Sequence, residues 1–149
     1  MTWNAEQYKL FTRQREQPFH DLVALVDNLR AASSSSSSSS SPSPLLAVDL
    51  GCGTGKQTAM LHASLPPASS TIGIDSSPEM LAAPPAADGL RFLLGDVARP
   101  ESLGVEPGSV DILFSNACLH WLPDHPELLK NRTSPSGHRP PATDIRPRR

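Results

Sequence analysis

Apolar residues in this chain gather in short runs bounded by glycine, proline, serine and acids. Four runs, residues 45–50, 71–75, 91–95 and 110–115, predict β-strands. Residues 55–65 are expected to form a helix that Pro66-Pro67 stops. Ser76-Ser-Pro-Glu79 reads as another helix start, a serine cap followed three residues on by a glutamate, and Pro84-Pro85 cuts that helix short. Upstream, Leu22, Leu25, Val26 and Leu29 recur at helical spacing, with Val23 widening the stripe. Residues 20–30 are therefore expected as an amphipathic helix lying against the sheet. Residues 4–15 carry Trp3, Tyr8 and Phe11 and are expected as a second helix or turn. Strands that alternate with helices predict an α/β fold built on a parallel, doubly wound sheet.

Two segments fall outside this alternation. Residues 33–41 are all serine and run into Pro42-Ser-Pro44, which has nothing to bury against the entropy of ordering it. Residues 33–44 are read as a flexible linker spanning roughly 15–20 Å, with a phosphorylation tract as the alternative. The stretch 131–149 holds five arginines, four prolines and one substantial aliphatic residue, Ile145, so no helical or strand period runs across it. It is read as a disordered basic tail. A nucleic-acid-binding arm is the alternative, disfavoured by the lack of interleaved aromatics and the net charge of −2. The expected organisation is an N-terminal helical cap at 1–32, the linker at 33–44, a single partial domain at 45–130 and the tail.

With 149 residues the chain suits one domain, and its two cysteines, Cys52 and Cys118, suggest neither a disulfide framework nor a zinc site. No apolar run reaches the roughly 18 residues of a membrane span, and the N-terminus lacks the basic start and apolar core of a secretory signal. A cytoplasmic setting is the expectation that follows.

The chemistry centres on Asp49 and the glycines Gly51, Gly53 and Gly55, where a strand turns sharply and the backbone passes close to a ligand. Dinucleotide-binding dehydrogenases use a similar turn with an acid roughly 20 residues on, a place that Asp75 fills. The position of Asp49 argues otherwise, because a carboxylate before the glycines repels a pyrophosphate and attracts the ammonium and sulfonium of S-adenosylmethionine. Asp75 ends the second strand, where it can accept both ribose hydroxyls, and Asp96 follows the third, where it can accept an adenine amine. For each acid the competing reading is a helix cap or turn acceptor.

Val48-Asp-Leu-Gly-Cys-Gly-Thr-Gly55, Gly73-Ile-Asp-Ser-Ser-Pro-Glu-Met-Leu81, Gly95-Asp-Val97 and the Ser115-Asn-Ala/His120-Trp-Leu-Pro-Asp124 region resemble the class I methyltransferases that use S-adenosylmethionine. Trp3-Asn4, Tyr8, Phe11, Arg15, Pro18 and Asp21-Leu22 are similar to the N-terminal signature of the trans-aconitate methyltransferase group. The resemblance implies a Rossmann-like sheet in strand order 3-2-1-4-5-7-6, of which only the first four of seven strands are recognisable. The pattern stops at about Leu129, so a C-terminally truncated domain is expected, with strand four as an aggregation-prone edge.

The resemblance implies a donor site made by the backbone of Gly51, Cys52 and Gly53 beside the methionyl part, with Asp49 turned to its ammonium. Asp75 takes the ribose, Ser76 and Met80 border the adenine, Asp96 and the Val97 backbone take its amine, and Asn116 lines the methionyl end. Acceptor candidates are Trp3, Tyr8, Arg15, His120 and Trp121. Arg15 matches a family arginine able to clamp a carboxylate, but the second such arginine is Gln17 here, which weighs against a polycarboxylate. Methyl transfer to a carboxylate, ionised at neutral pH, needs no catalytic acid or base. His120, Asp124 and His125 lack an outside ligand, so no metal is expected. The expected function is methylation of a small carboxylic acid of the trans-aconitate type. An inactive or regulatory cofactor-binding fragment is the alternative, and a dinucleotide oxidoreductase the less favoured one. No nucleic-acid or membrane partner is expected, and the oligomeric state stays open.

Overall fold

A computed structural model describes residues 12–34, 43–98, 105 and 108–122, with side chains of the first helix described over 16–28. The elements run α1 (Thr12–Ser34), β1 (Leu46–Leu50), α2 (Lys56–Ser64), β2 (Ser70–Asp75), β3 (Leu90–Leu94) and β4 (Ile112–Phe114). Short 3-10 turns occupy Met80–Ala82 and Leu119–Trp121. The four strands form one sheet in the order β3-β2-β1-β4, and every pairing is parallel. That is the order the first four strands of the family sheet require.

Pleating decides what each strand residue faces, because successive side chains point to opposite sides. In register, Val48 stands between Ile72 and Leu113, and these pack with Leu50, Ile74 and Val97 on one face. Asp49 lies beside Phe114 on the other face, where Leu61 of α2 and Phe19 of α1 close the second core cluster. The same alternation that buries Val48 therefore sends Asp49 toward α2.

The N-terminal helix corrects several expectations. It is one element from Thr12 to Ser34 with Pro18 inside, so the segment expected at 20–30 and the later part of 4–15 are continuous. Proline removes one backbone donor there, and the apolar anchor next to it holds the helix against the sheet. Buried Phe19 and the half-buried Leu22 and Val23 form the inward stripe. Leu25, expected in that stripe, is 53% exposed, since anchoring on Phe19 rotates it to the solvent flank. Ser33 and Ser34 belong to α1, so the expected linker begins no earlier than residue 35. Trp3, Tyr8, Phe11, residues 35–42 and the stretch from 123 onward lie outside the described residues.

After β2 the expected capping serine is also corrected. The Met80 amide donates to Ser77 Oγ at 3.3 Å, while the Ser77 hydroxyl donates to Glu79 Oε2 at 2.7 Å. Ser77 rather than Ser76 accepts from the amide at the start of the turn, which lasts only over Met80–Ala82 and ends one residue short of Pro84-Pro85.

Candidate functional site

In an open parallel sheet, ligands bind beyond the carboxyl ends of the strands where the order reverses. Here that point lies between β1 and β4. A hollow of about 450 Å³ opens there, inside the roughly 300–1,000 Å³ range of small-molecule pockets. Gly51 and Gly53 wall it after β1, Asp75 to Met80 after β2, Asp96 and Val97 after β3, and Ala117, Cys118, Trp121 and Leu122 after β4.

The glycine turn is held from behind. The amides of Gly51 and Cys52 both donate to the Ile74 carbonyl, at 2.8 and 3.0 Å, and the Gly55 amide donates to the Cys52 carbonyl at 3.1 Å. The Gly53 amide donates to Asp75 Oδ2 at 2.8 Å. A phosphate cradle depends on turn amides aimed at the ligand, and these four are spent inside the protein. Gly51 adopts φ 72°, and a Cβ on it would fall 2.4 Å from Cys118 Cβ, so the close approach of the loop after β4 also requires glycine.

Asp75 is the best-fixed acid in the wall. Its Oδ1 accepts from the Ser77 amide at 2.9 Å while Oδ2 takes the Gly53 amide, so both oxygens are oriented. An ionised carboxylate has about four acceptor sites, which leaves one on each oxygen for two vicinal hydroxyls. Asp96 Oδ1 accepts from the Ala98 amide at 2.9 Å, so the turn-acceptor geometry and an exposed position in the wall coexist in one residue. Glu79 adds a third acid, and the Ser77 hydroxyl holds its carboxyl below the usual range.

Asp49 is placed differently from the expectation. It is 3% exposed, does not line the hollow, and its Oδ2 accepts from the Thr58 hydroxyl at 2.7 Å. Its carboxyl thus lies behind the glycine turn rather than in the wall of the hollow. Burial pushes its carboxyl up to about 6, the Thr58 hydrogen bond opposes this, and the charge of Asp75 adds to it.

Of the remaining expected residues, Gly51, Gly53, Ser76, Met80, Val97 and Trp121 line the hollow, and Met80 is buried. Cys52, Asn116 and His120 do not line it. Cys52 is buried with its thiol pushed up by burial and by the charges of Asp49 and Asp75. The Asn116 side-chain amide donates to Gln57 Oε1 at 3.0 Å, which ties the loop after β4 to α2. His120 is exposed and its ring lies 5.0 Å from that of Trp121. Arg15 lies on α1 with its side chain outside the described set, and Trp3 and Tyr8 lie outside it altogether.

Sequence reasoning missed Thr58, Ser77, Glu79, Ala117, Cys118 and Leu122. Thr58 was detectable as a hydroxyl in the first turn of a helix nine residues after Asp49. Ala117, with φ 61°, and Cys118, whose thiol burial pushes up to about 11, carry no pattern that marks them in advance. Among the described residues no cluster of three or more potential ligands gathers for a metal, and no helix is long and apolar enough to cross a membrane.

An open 3-2-1-4 parallel sheet with a glycine turn after its first strand and acids after the next two is the architecture of a partial class I, Rossmann-like methyltransferase domain. The chain belongs to that family: the sequence model of the methyltransferase domain matches residues 48–133, more than half of the chain. It is similar to the trans-aconitate 2-methyltransferase of Deinococcus radiodurans, 44% identical over 131 residues that cover 87% of this chain and 43% of that protein. The enzyme of the same name from Escherichia coli O139:H28 is 36% identical over 137 residues, 89% of this chain and 46% of that one. The chain thus spans less than half the length of these curated relatives. Among solved structures, an S-adenosylmethionine dependent methyltransferase from Mesorhizobium loti matches with TM-score 0.50 and 30% identity, over 59% of this chain and 40% of that one. The plantazolicin methyltransferase BpumL, solved with a pentazolic desmethylPZN analog and SAH, shares the fold at TM-score 0.62 and 19% identity, over 86% and 47%.

Proposed function

We propose that this chain binds S-adenosylmethionine in the hollow beyond β1–β4 and acts in methyl transfer to a small carboxylic acid of the trans-aconitate type. The observation that supports the reading is an acidic wall beside a glycine turn whose amides are directed inward. Such a wall disfavours a dinucleotide's pyrophosphate and suits a ligand with ammonium and sulfonium charges.

In this reading Asp75 receives the ribose hydroxyls on its two spare acceptor sites. Ser76 and Met80 border the adenine, and Asp96 with the Val97 backbone takes the adenine amine. Gly51, Cys52 and Gly53 flank the methionyl part, with Asn116 near its end. Asp49 acts on the ammonium through its field from below the turn. When bound, the donor supplies a methyl group to an attacking oxygen in line with the breaking carbon–sulfur bond, and the bonding pair stays on sulfur. The protein's part is to align the two reactants and exclude water, with no proton to move for an ionised acceptor.

The acceptor class draws its support from the relatives' names. The described wall carries acids and no basic side chain, so an anionic acceptor takes its counter-charge from elsewhere. Arg15 on α1 is the residue proposed for it, with Trp3, Tyr8, His120 and Trp121 as further acceptor contacts. Gln17 stands where the family's second arginine is expected, and its side-chain amide donates to Asp21 Oδ1 at 2.9 Å.

Calorimetric titration of the full chain with S-adenosylhomocysteine tests the donor site. Saturable binding is expected, and the absence of both heat and thermal shift at millimolar ligand would overturn it. Radiolabelled donor with trans-aconitate tests the acceptor: ester formation is expected, and donor binding without transfer to any carboxylic acid removes the acceptor assignment alone.

A further inference from the structure

The donor reading leaves one buried contact without an explanation. Thr58 is 0% exposed on α2, and its hydroxyl donates at 2.7 Å to the equally enclosed Asp49 of β1. The glycine turn that walls the hollow lies between these two residues in the chain. Their hydrogen bond therefore clasps the turn at both ends, on the face of the sheet that α2 covers. Around the pair the packing is apolar, with Leu61 and Phe114 in the adjoining core cluster. An ionisable group in such a place is costly, and an apolar pair of similar volume would serve packing equally well or better.

We propose that Thr58 is a positioning residue for the methyl donor: its hydroxyl fixes the Asp49 carboxylate beneath the glycine turn, where the carboxylate attracts the donor's cationic end. The inference rests on the donor-site reading above. Three titratable groups act on or near Asp49: Asp75 at the end of β2, Cys52 in the turn and Cys118 after β4. Both thiols are pushed up by burial and stay neutral at working pH, so Asp75 is the charge that opposes ionisation of Asp49. Thr58 is the hydrogen-bond donor that favours it. Losing the hydroxyl leaves burial and Asp75 unopposed, and the carboxyl then holds its proton to higher pH.

The test compares Thr58→Val, which removes the hydroxyl at similar volume, with Thr58→Ser, which keeps it. Affinity for S-adenosylmethionine is measured by calorimetry on the full chain between about pH 5 and 9, with circular dichroism melts to verify folding. In wild type and Thr58→Ser, affinity should rise as Asp49 ionises. Thr58→Val should bind about twofold more weakly at pH 7 and about tenfold more weakly near pH 5, with its midpoint about one pH unit higher. A folded Thr58→Val with wild-type affinity and midpoint overturns the inference, as does a folded Thr58→Ser that behaves like the valine variant. Should the valine variant not fold, Asp49→Asn decides: weak, pH-independent binding supports the clasp, and wild-type binding overturns it. Wild-type protein that binds no donor at any pH removes the donor reading and this inference together, whereas an unaffected Thr58→Val removes this inference alone.

Discussion

Gly51 is the residue on which the hollow most directly depends. With φ at 72° and a would-be Cβ 2.4 Å from Cys118 Cβ and 2.5 Å from its sulfur, Gly51→Ala meets two separate penalties. The left-handed backbone costs about 1–2 kcal/mol and the overpacking about 1–3 kcal/mol. A loss of about 2–5 kcal/mol is expected in urea denaturation, and adding Cys118→Gly should recover the packing share while leaving the backbone share. No recovery in the double variant would show that the two loops do not meet as described. Asp49 makes a second residue-scale prediction. Its carboxyl titrates near 3.8 in an unfolded chain and is pushed up to about 6 in the fold, so the unfolded chain releases its proton first. Stability conferred by this group is therefore lost as pH rises from about 4 to 6, at a cost on the order of 2–3 kcal/mol at neutrality. Asp49→Asn should be more stable than wild type near pH 7 and lose that advantage near pH 4, while donor binding weakens. An equal effect at both pH values would argue against a strained carboxylate.

At the scale of elements, α1 is joined to the sheet chiefly by one aromatic side chain. Phe19 is 2% exposed, meets Phe114 edge to face at 5.8 Å and packs with Leu61 of α2. Phe19→Ala should cost about 3–5 kcal/mol and release α1, read as lost helical signal and a protease site opened within it. Leu25→Ala, at a side chain 53% exposed, should change little and serves as the comparison. Strand elements were legible because their apolar runs are bounded by residues that stop them, and even the shortest, β4, falls inside the expected 110–115. α1 was harder to read. Helical spacing alone does not fix which flank of a wide stripe turns inward, and Phe19 settles that only by finding Phe114, which lies far along the chain.

For the whole molecule, the hollow is a product of four strand ends rather than of any one motif. A ligand that bridges those ends should stabilise the domain as a unit. S-adenosylhomocysteine at about a hundred times its Kd should add about 2.7 kcal/mol, seen as a rise in Tm, while NAD at the same concentration should give none. A rise with NAD alone would favour the dinucleotide reading.

Local chain chemistry sufficed for the four strands, their order by family likeness, the glycine turn and the acids at successive strand ends, because each is written in adjacent residues. It did not suffice for the direction of Asp49. Strand pleating turns that carboxylate toward α2, and the partner that meets it, Thr58, is identified only once helix and sheet are packed. The same holds for Cys118 against Gly51. Periodicity along a chain tells which residues are buried, whereas the contacts between separate elements decide which of them face the ligand and which support it from behind.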